Sequence, residues 1–175
     1  LLVGRFESSV AAFQSSLGYM IQSSEHILKW VETRHKIPVY KKGNLPDVND
    51  FYESTEDGME EIEDTFDKYE AKGFFEIDMK YVKDDFIENV KSDLQLLNNL
   101  CELWFGKDNT IHFDPKLNSF VEIVREKMKS DPNRKLIVFS EYADTANYLG
   151  KSLQEAGLPV MKYTSADATQ ANKDR

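Results

Sequence analysis

Few residues in this chain have both the type and the spacing to do chemistry alone. Glu32-x-x-His35 has the helical spacing of one ligand pair in a carboxylate-bridged di-metal site. Such a site needs a second copy and two more carboxylates from neighbouring helices. One copy is present, so the pair reads as surface residues at a helix end. His112 and Asp114 lack a third ligand in the sequence around them. The acidic run at 56–64 does not place ligands at alternate positions before a glycine, as a calcium loop requires. Cys101 falls on an apolar helical stripe and is assigned to the core. No Gly-x-Ser-x-Gly elbow accompanies the serine pairs. A self-contained hydrolase or metalloenzyme is therefore not the expectation.

Charge is more informative by region than in total. The chain carries 22 Lys and Arg against 31 Asp and Glu, a net charge of -9. Residues 47–70 hold eleven of those acids and one base, Lys68. The remainder is close to neutral, and residues 115–175 have ten basic and eight acidic side chains. The total therefore does not exclude nucleic-acid contact at the ends, where phosphates would need Lys and Arg. A hydrophobic fraction of 41% over 175 residues suits a globular chain able to bury a core. The single cysteine excludes a disulfide framework. No apolar run is long enough to span a membrane, and Arg5 and Glu7 interrupt the apolar start too early for a signal peptide. A cytoplasmic protein is the expectation, and no membrane is among the expected partners.

Four helical patterns could position functional groups. Phe6, Val10, Phe13, Leu17, Met20, Ser24, Ile27 and Val31 alternate at spacings of three and four, which predicts one long helix ended by Pro38 and the run at 41–44. An acidic helix is predicted within 47–72, capped by Ser54 or Thr55, with Met59, Ile62, Phe66 and Tyr69 on one face and Gly73 as its stop. A third is predicted over 79–105, with Phe86, Val90, Leu94, Leu97, Cys101 and Trp104 as its stripe and Leu96, Leu100 and Leu103 widening it. Asp114-Pro115 predicts a capped start, and Asp131-Pro132 the stop, of a fourth helix presenting Leu117, Phe120, Val121, Val124 and Met128. The fold class expected is mainly α, an antiparallel helical bundle followed by a truncated parallel βαβ unit.

That βαβ unit is read from RKLIVFSEYADTANYLGKSLQEAGLPVMKYTSADATQANKDR, residues 134–175. The unbroken apolar run at 136–139 predicts a parallel strand covered on both faces. Ser140, Glu141 or Asp144 could cap the helix that follows, with Tyr142, Ala146, Leu149 and Leu153 on its buried side and Gly157 as its left-handed stop. Residues 160–163 predict the returning strand of a right-handed crossover. Two strands and one helix need further strands to cover them, so the chain is expected to be part of something larger. Its ends, lacking an initiator methionine, read as cut.

The phrase KLIVFSEYADTANYL at 135–149 resembles the start of the second RecA-like lobe of superfamily 2 helicases, and most of all motif IV of SWI/SNF-like translocases. DPKLNSFVEIVREKMKS resembles the helix that enters that lobe. MKYTSADATQANKDR is similar to the following strand and Ser/Thr-rich turn, without its usual glycine. LLVGRFESSVAAFQSSL resembles the phrase after the first lobe in bacterial members. Residues 45–112 match no named pattern. The resemblance divides the chain into a helical connector or insertion at 1–112 and the beginning of the second lobe at 113–175.

What the resemblance implies is a segment of an ATP-dependent nucleic-acid helicase or translocase that links two motor lobes and contributes motif IV. ATP and Mg²⁺ would be cofactors of the intact motor only. This chain lacks a GxxxxGK[ST] loop, an Asp-Glu-x-His and a Gln-x-x-Gly-Arg-x-x-Arg motif, so no catalytic residue is assigned. The partners implied are the remaining lobes in cis and nucleic acid, with DNA expected. Motif IV lies beside the nucleic-acid backbone in this family, which points to Ser140, Tyr142 and Arg175 as contacts; Ser140 would donate to a phosphate from beside a helix N-terminus. The plainer alternatives are that Ser140 caps the helix and Tyr142 packs on the sheet. Arg5 and Glu7 match the first phrase, and an ion pair between them at a helix start explains them equally well. A reading from another class makes the chain a helical interaction or regulatory module, whose acidic helix docks a basic protein partner or shields a nucleic-acid groove.

Overall fold

The computed structural model describes residues 2–40, 70–71 and 73–164. It is mainly helical, with α1 (Leu2–Ser8), α2 (Val10–Arg34), α3 (Phe86–Phe105), α4 (Pro115–Ser130) and α5 (Ala143–Glu155). Two strands, β1 (Lys36–Tyr40) and β2 (Phe74–Asp78), form a small antiparallel sheet. No described helix is long and apolar enough to cross a membrane. The acidic helix expected within 47–72 falls almost wholly outside the described residues. The chain forms two compact units, Leu1–Ser16 with Trp104–Arg175, and Leu17–Leu103.

In the first unit the single long helix of the sequence reading is broken at Ser9 into α1 and α2. The backbone bonds Ser9 N–H to Arg5 O and Phe13 N–H to Ser9 O persist at 3.1 Å. The Ser9 hydroxyl accepts from the Ala12 amide at 3.0 Å and so caps α2. An apolar stripe runs through such a break unchanged, which is why periodicity does not register it. Phe6, Phe13 and Trp104 meet edge to face with centroids 5.0–5.8 Å apart, and Phe13 also approaches Phe105. Phe105 and Phe13 are buried, whereas Phe6 and Trp104 stay partly exposed.

The helix α4 begins and ends where its local signals place it. Asp114 accepts from the Leu117 amide at 2.9 Å, Pro115 opens the helix, and Asp131 closes it. The end of α5 is equally local. Gly157 adopts a φ of 75°, its N–H donates to Gln154 O, and the Leu158 N–H donates to Leu153 O. The two strands expected at 136–139 and 160–163 make no strand pairing among the described residues. Ile137 and Phe139 are 79% and 90% exposed, which corrects the expectation of a run covered on both faces. Leu136, Val138 and Ser140 line a cleft of about 380 Å³ with α4, α5 and residues 158–163, while Ile137 and Phe139 are not among its walls.

The second unit contains the sheet that the sequence reading did not anticipate. His35 takes a φ of 55° directly after α2, turning the chain into β1. Ile37 pairs with Ile77 and Tyr40 with Phe74. Pro38, expected to stop the first helix, instead sits inside β1 opposite Glu76. Residues expected to begin the third helix are spent on the 3-10 turn Met79–Tyr81, capped by Asp78 at the end of β2, so α3 starts at Phe86. Its main stripe is buried at Leu97, whereas Leu96 and Leu103, expected to widen that stripe, are exposed. Trp30, absent from the expected stripe, is fully buried and lies 5.4 Å from the Phe74 ring.

Two strands alone make a marginal sheet. Glu76 of β2 ties this one to α2. Its carboxylate accepts from Trp30 Nε1 at 2.6 Å, Arg34 Nε at 2.6 Å, Arg34 Nη2 at 3.1 Å and Lys36 Nζ at 2.8 Å. Burial alone would raise its pKa, but the bonds from Arg34, Lys36 and Trp30 outweigh that and hold it at about 2. A carboxyl held below its ordinary value stabilises the fold above that value, and the contribution is lost as pH falls from about 4.5 towards about 2. Glu76→Gln is expected to cost roughly 3 kcal/mol at neutral pH in urea unfolding and to flatten the acid limb of stability between those pH values.

Candidate functional site

The site assembles around the first turn of α5, in the first unit. Its N-cap is Tyr142, whose side chain makes no capping bond. Neither Ser140, Glu141 nor Asp144 caps the helix, contrary to the sequence expectation. The Ser140 hydroxyl instead closes a local turn, accepting from the Tyr142 amide at 3.2 Å and lying 3.1 Å from the Tyr142 carbonyl, to which it donates. Ser140 is exposed. Arg175 lies outside the described residues.

Helix α1 is laid against this turn by polar groups. The Arg5 guanidinium sits 4.5 Å from the centroid of the Tyr142 ring, and its Nη2 bonds the Asp144 carboxylate. Its Nε donates to the Ser16 hydroxyl at 2.7 Å. Arg5 is thus engaged along an edge and a face, and its side chain is 14% exposed. The expected Arg5–Glu7 pairing is replaced by one spanning 139 residues of sequence. Asp144 also stands in the first turn of α5, where a negative charge offsets the helix dipole. A Cβ placed on Gly4 would lie 3.5 Å from the Tyr142 hydroxyl, so the α1 backbone itself approaches the ring closely.

Further along, the hydroxyls of Ser8 and Ser9 each lie 2.8 Å from the buried Thr145 hydroxyl. Lys116, in the first turn of α4, donates to the Glu7 and Ser8 carbonyls that α1 leaves open at its C-terminus. Ser8, Ser9, Lys116, Ser140, Glu141 and Thr145 supply the polar lining of a second cavity of about 350 Å³. Asp114, buried at the start of α4, accepts from the Tyr148 hydroxyl of α5 at 3.2 Å. Burial, with the Asp114 charge and hydrogen bond adding to it, pushes the Tyr148 phenol up to about 12.

The other sequence candidates do not gather. Glu32 and His35 are both exposed at the end of α2. His112 bonds Asp108 and Thr110 at 3.0 Å on the surface, not Asp114. Among the described residues, no three His, Cys, Asp or Glu side chains converge.

Comparison of the chain with protein-family models, with curated proteins and with solved structures finds no match.

Sequence reasoning placed Ser140 and Tyr142 beside a helix start and missed Arg5, Ser9 and Thr145 as their supports. The available signal was the pairing of types: one buried-capable cation in the first phrase, and one first-turn acid beside an aromatic in the second. Thr145→Val keeps the shape of the side chain and leaves two serine hydroxyls without their partner. It should lower stability by roughly 1–2 kcal/mol in chemical denaturation, while Thr145→Ser should retain most of it.

Proposed function

We propose that the chain is the connector and leading edge of the second RecA-like lobe of a superfamily 2, SWI/SNF-like helicase or translocase. The carrying observation is that two phrases bearing the resemblance, at 1–17 and 135–149, are in direct contact through Arg5–Asp144, Arg5–Tyr142 and the Ser8–Ser9–Thr145 hydroxyls. Further support comes from the extended segments 134–140 and 158–163, which flank α5 and line one cleft. That is the order of elements in a parallel βαβ unit, and uncovered Ile137, Phe139 and Met161 are the side chains that added strands and layers would bury.

In the intact motor, two lobes closing on ATP and Mg²⁺ and reopening after hydrolysis would step along DNA. The role of this segment is to join the lobes and to present Ser140, with Tyr142 beside it, to the phosphate backbone. Ser140 is exposed, on a local turn, next to a helix N-terminus, where its hydroxyl would turn its one proton from the Tyr142 carbonyl to a phosphate oxygen.

Three outcomes test this. The 175-residue chain alone should hydrolyse no ATP, and turnover by pure material would refute the assignment. In binding titrations at physiological salt it should hold duplex DNA no tighter than the range of non-specific contacts, about 10⁻⁴ to 10⁻⁶ M. In the intact protein, Ser140→Ala should reduce DNA-stimulated ATPase more than basal ATPase; equal losses would leave Ser140 a purely local turn residue.

A further inference from the structure

We propose that Arg5 is a positioning residue that couples the placement of α1 to the geometry of the Ser140–Tyr142 turn. The proposal rests on the reading that this turn faces a nucleic-acid backbone. It deepens that reading by naming what sets the turn.

Helix α1 has seven residues and none of them is buried. A helix of that length does not hold itself together in water. Its position depends on the backbone bonds through Ser9 and on its side-chain contacts, and Arg5 makes three of the latter on groups that belong to other segments: Tyr142, Asp144 and Ser16. At the other end of this chain of contacts, Tyr142 has no capping bond of its own. Its ring is held by the guanidinium face, and the residue two places on, Asp144, by the guanidinium edge. The Ser140 hydroxyl takes both its donor and its acceptor from the Tyr142 backbone. Moving Tyr142 therefore moves Ser140. A displacement of α1, which in the proposed motor leads directly from the first lobe, reaches Tyr142 and so the phosphate-facing hydroxyl through the Arg5 side chain, beside the Ser8 and Ser9 contacts to Thr145.

A lysine cannot reproduce this. A planar guanidinium stacks on a ring while its edge donates along fixed directions, whereas an ammonium is a point charge. Three variants separate the possibilities: Arg5→Ala, Arg5→Lys, and the charge exchange Arg5→Asp with Asp144→Arg. Amide hydrogen exchange of the 175-residue chain is measured at Tyr142, whose amide donates to the Ser140 hydroxyl, and at Ala146, whose amide donates to the Tyr142 carbonyl. Arg5→Ala should speed exchange there roughly tenfold, Arg5→Lys should fall between it and the unaltered protein, and the charge exchange should recover part of the protection. Tyr142→Phe keeps the ring and should exchange as the unaltered protein does, while Tyr142→Leu should behave as Arg5→Ala.

In the intact protein, Arg5→Ala should raise the duplex DNA concentration for half-maximal ATPase stimulation roughly tenfold, and lower turnover at saturating DNA by less than about twofold. Unchanged exchange in Arg5→Ala overturns the proposal whatever the motor does. Faster exchange in a protein with no DNA-stimulated ATPase leaves the link between α1 and the turn standing and removes the nucleic-acid reading beneath it. Faster exchange with an unaltered DNA requirement overturns the positioning role.

Discussion

A guanidinium held between an aromatic face and a carboxylate decides where α1 lies. That helix has no apolar side chain deep enough to anchor it, so the usual driving force for docking a helix is missing. In its place, Arg5 gives up most of its hydration and recovers the loss by engaging Tyr142, Asp144 and Ser16 together. The neighbouring contacts follow from that placement. Once α1 is down, the Ser8 and Ser9 hydroxyls reach Thr145, and the open carbonyls at its C-terminus reach Lys116. The aromatic group of Phe6, Phe13 and Trp104 adds apolar area from the opposite side of the same short helix.

The other unit is organised by the same kind of device with the sign reversed. There one carboxylate, Glu76, gathers an indole, a guanidinium and an ammonium. Two strands too few to be stable alone are thereby fastened to the end of α2. In both units a single charged side chain, satisfied on several sides, stands where a small domain would otherwise need a larger apolar core. Fully partnered, such a group also selects one arrangement over its neighbours, because a shifted register would leave a buried charge alone.

What could be read from sequence divides along the range of the forces involved. The ends of α4 were legible because Asp114-Pro115 and Asp131-Pro132 act on backbone within one turn of themselves. The stop of α5 at Gly157 was legible for the same reason. The break at Ser9 was not, since a cap that keeps the helical phase leaves the apolar spacing intact. Nor were the strands at 36–40 and 74–78 legible. Each is five residues long, one contains proline, and each is a strand only because the other lies beside it. The site shows the same division. Ser140 and Tyr142 were placed at a helix start by local pattern, while the partner of Arg5 was sought at Glu7, two residues away, and stands 139 residues away at Asp144. Local spacing carries no information about such a pair.

Pro38 has a consequence for the surface of the small sheet. It sits within β1 without interrupting the register with β2, so its nitrogen faces away from the partner strand. The other edge of β1, which no strand pairs with among the described residues, consequently lacks a donor at its midpoint. A stray extended peptide approaching there meets a gap where it needs a hydrogen bond, with the Lys36 ammonium two residues away. The strand pair is in this way guarded against recruiting foreign strands along that edge.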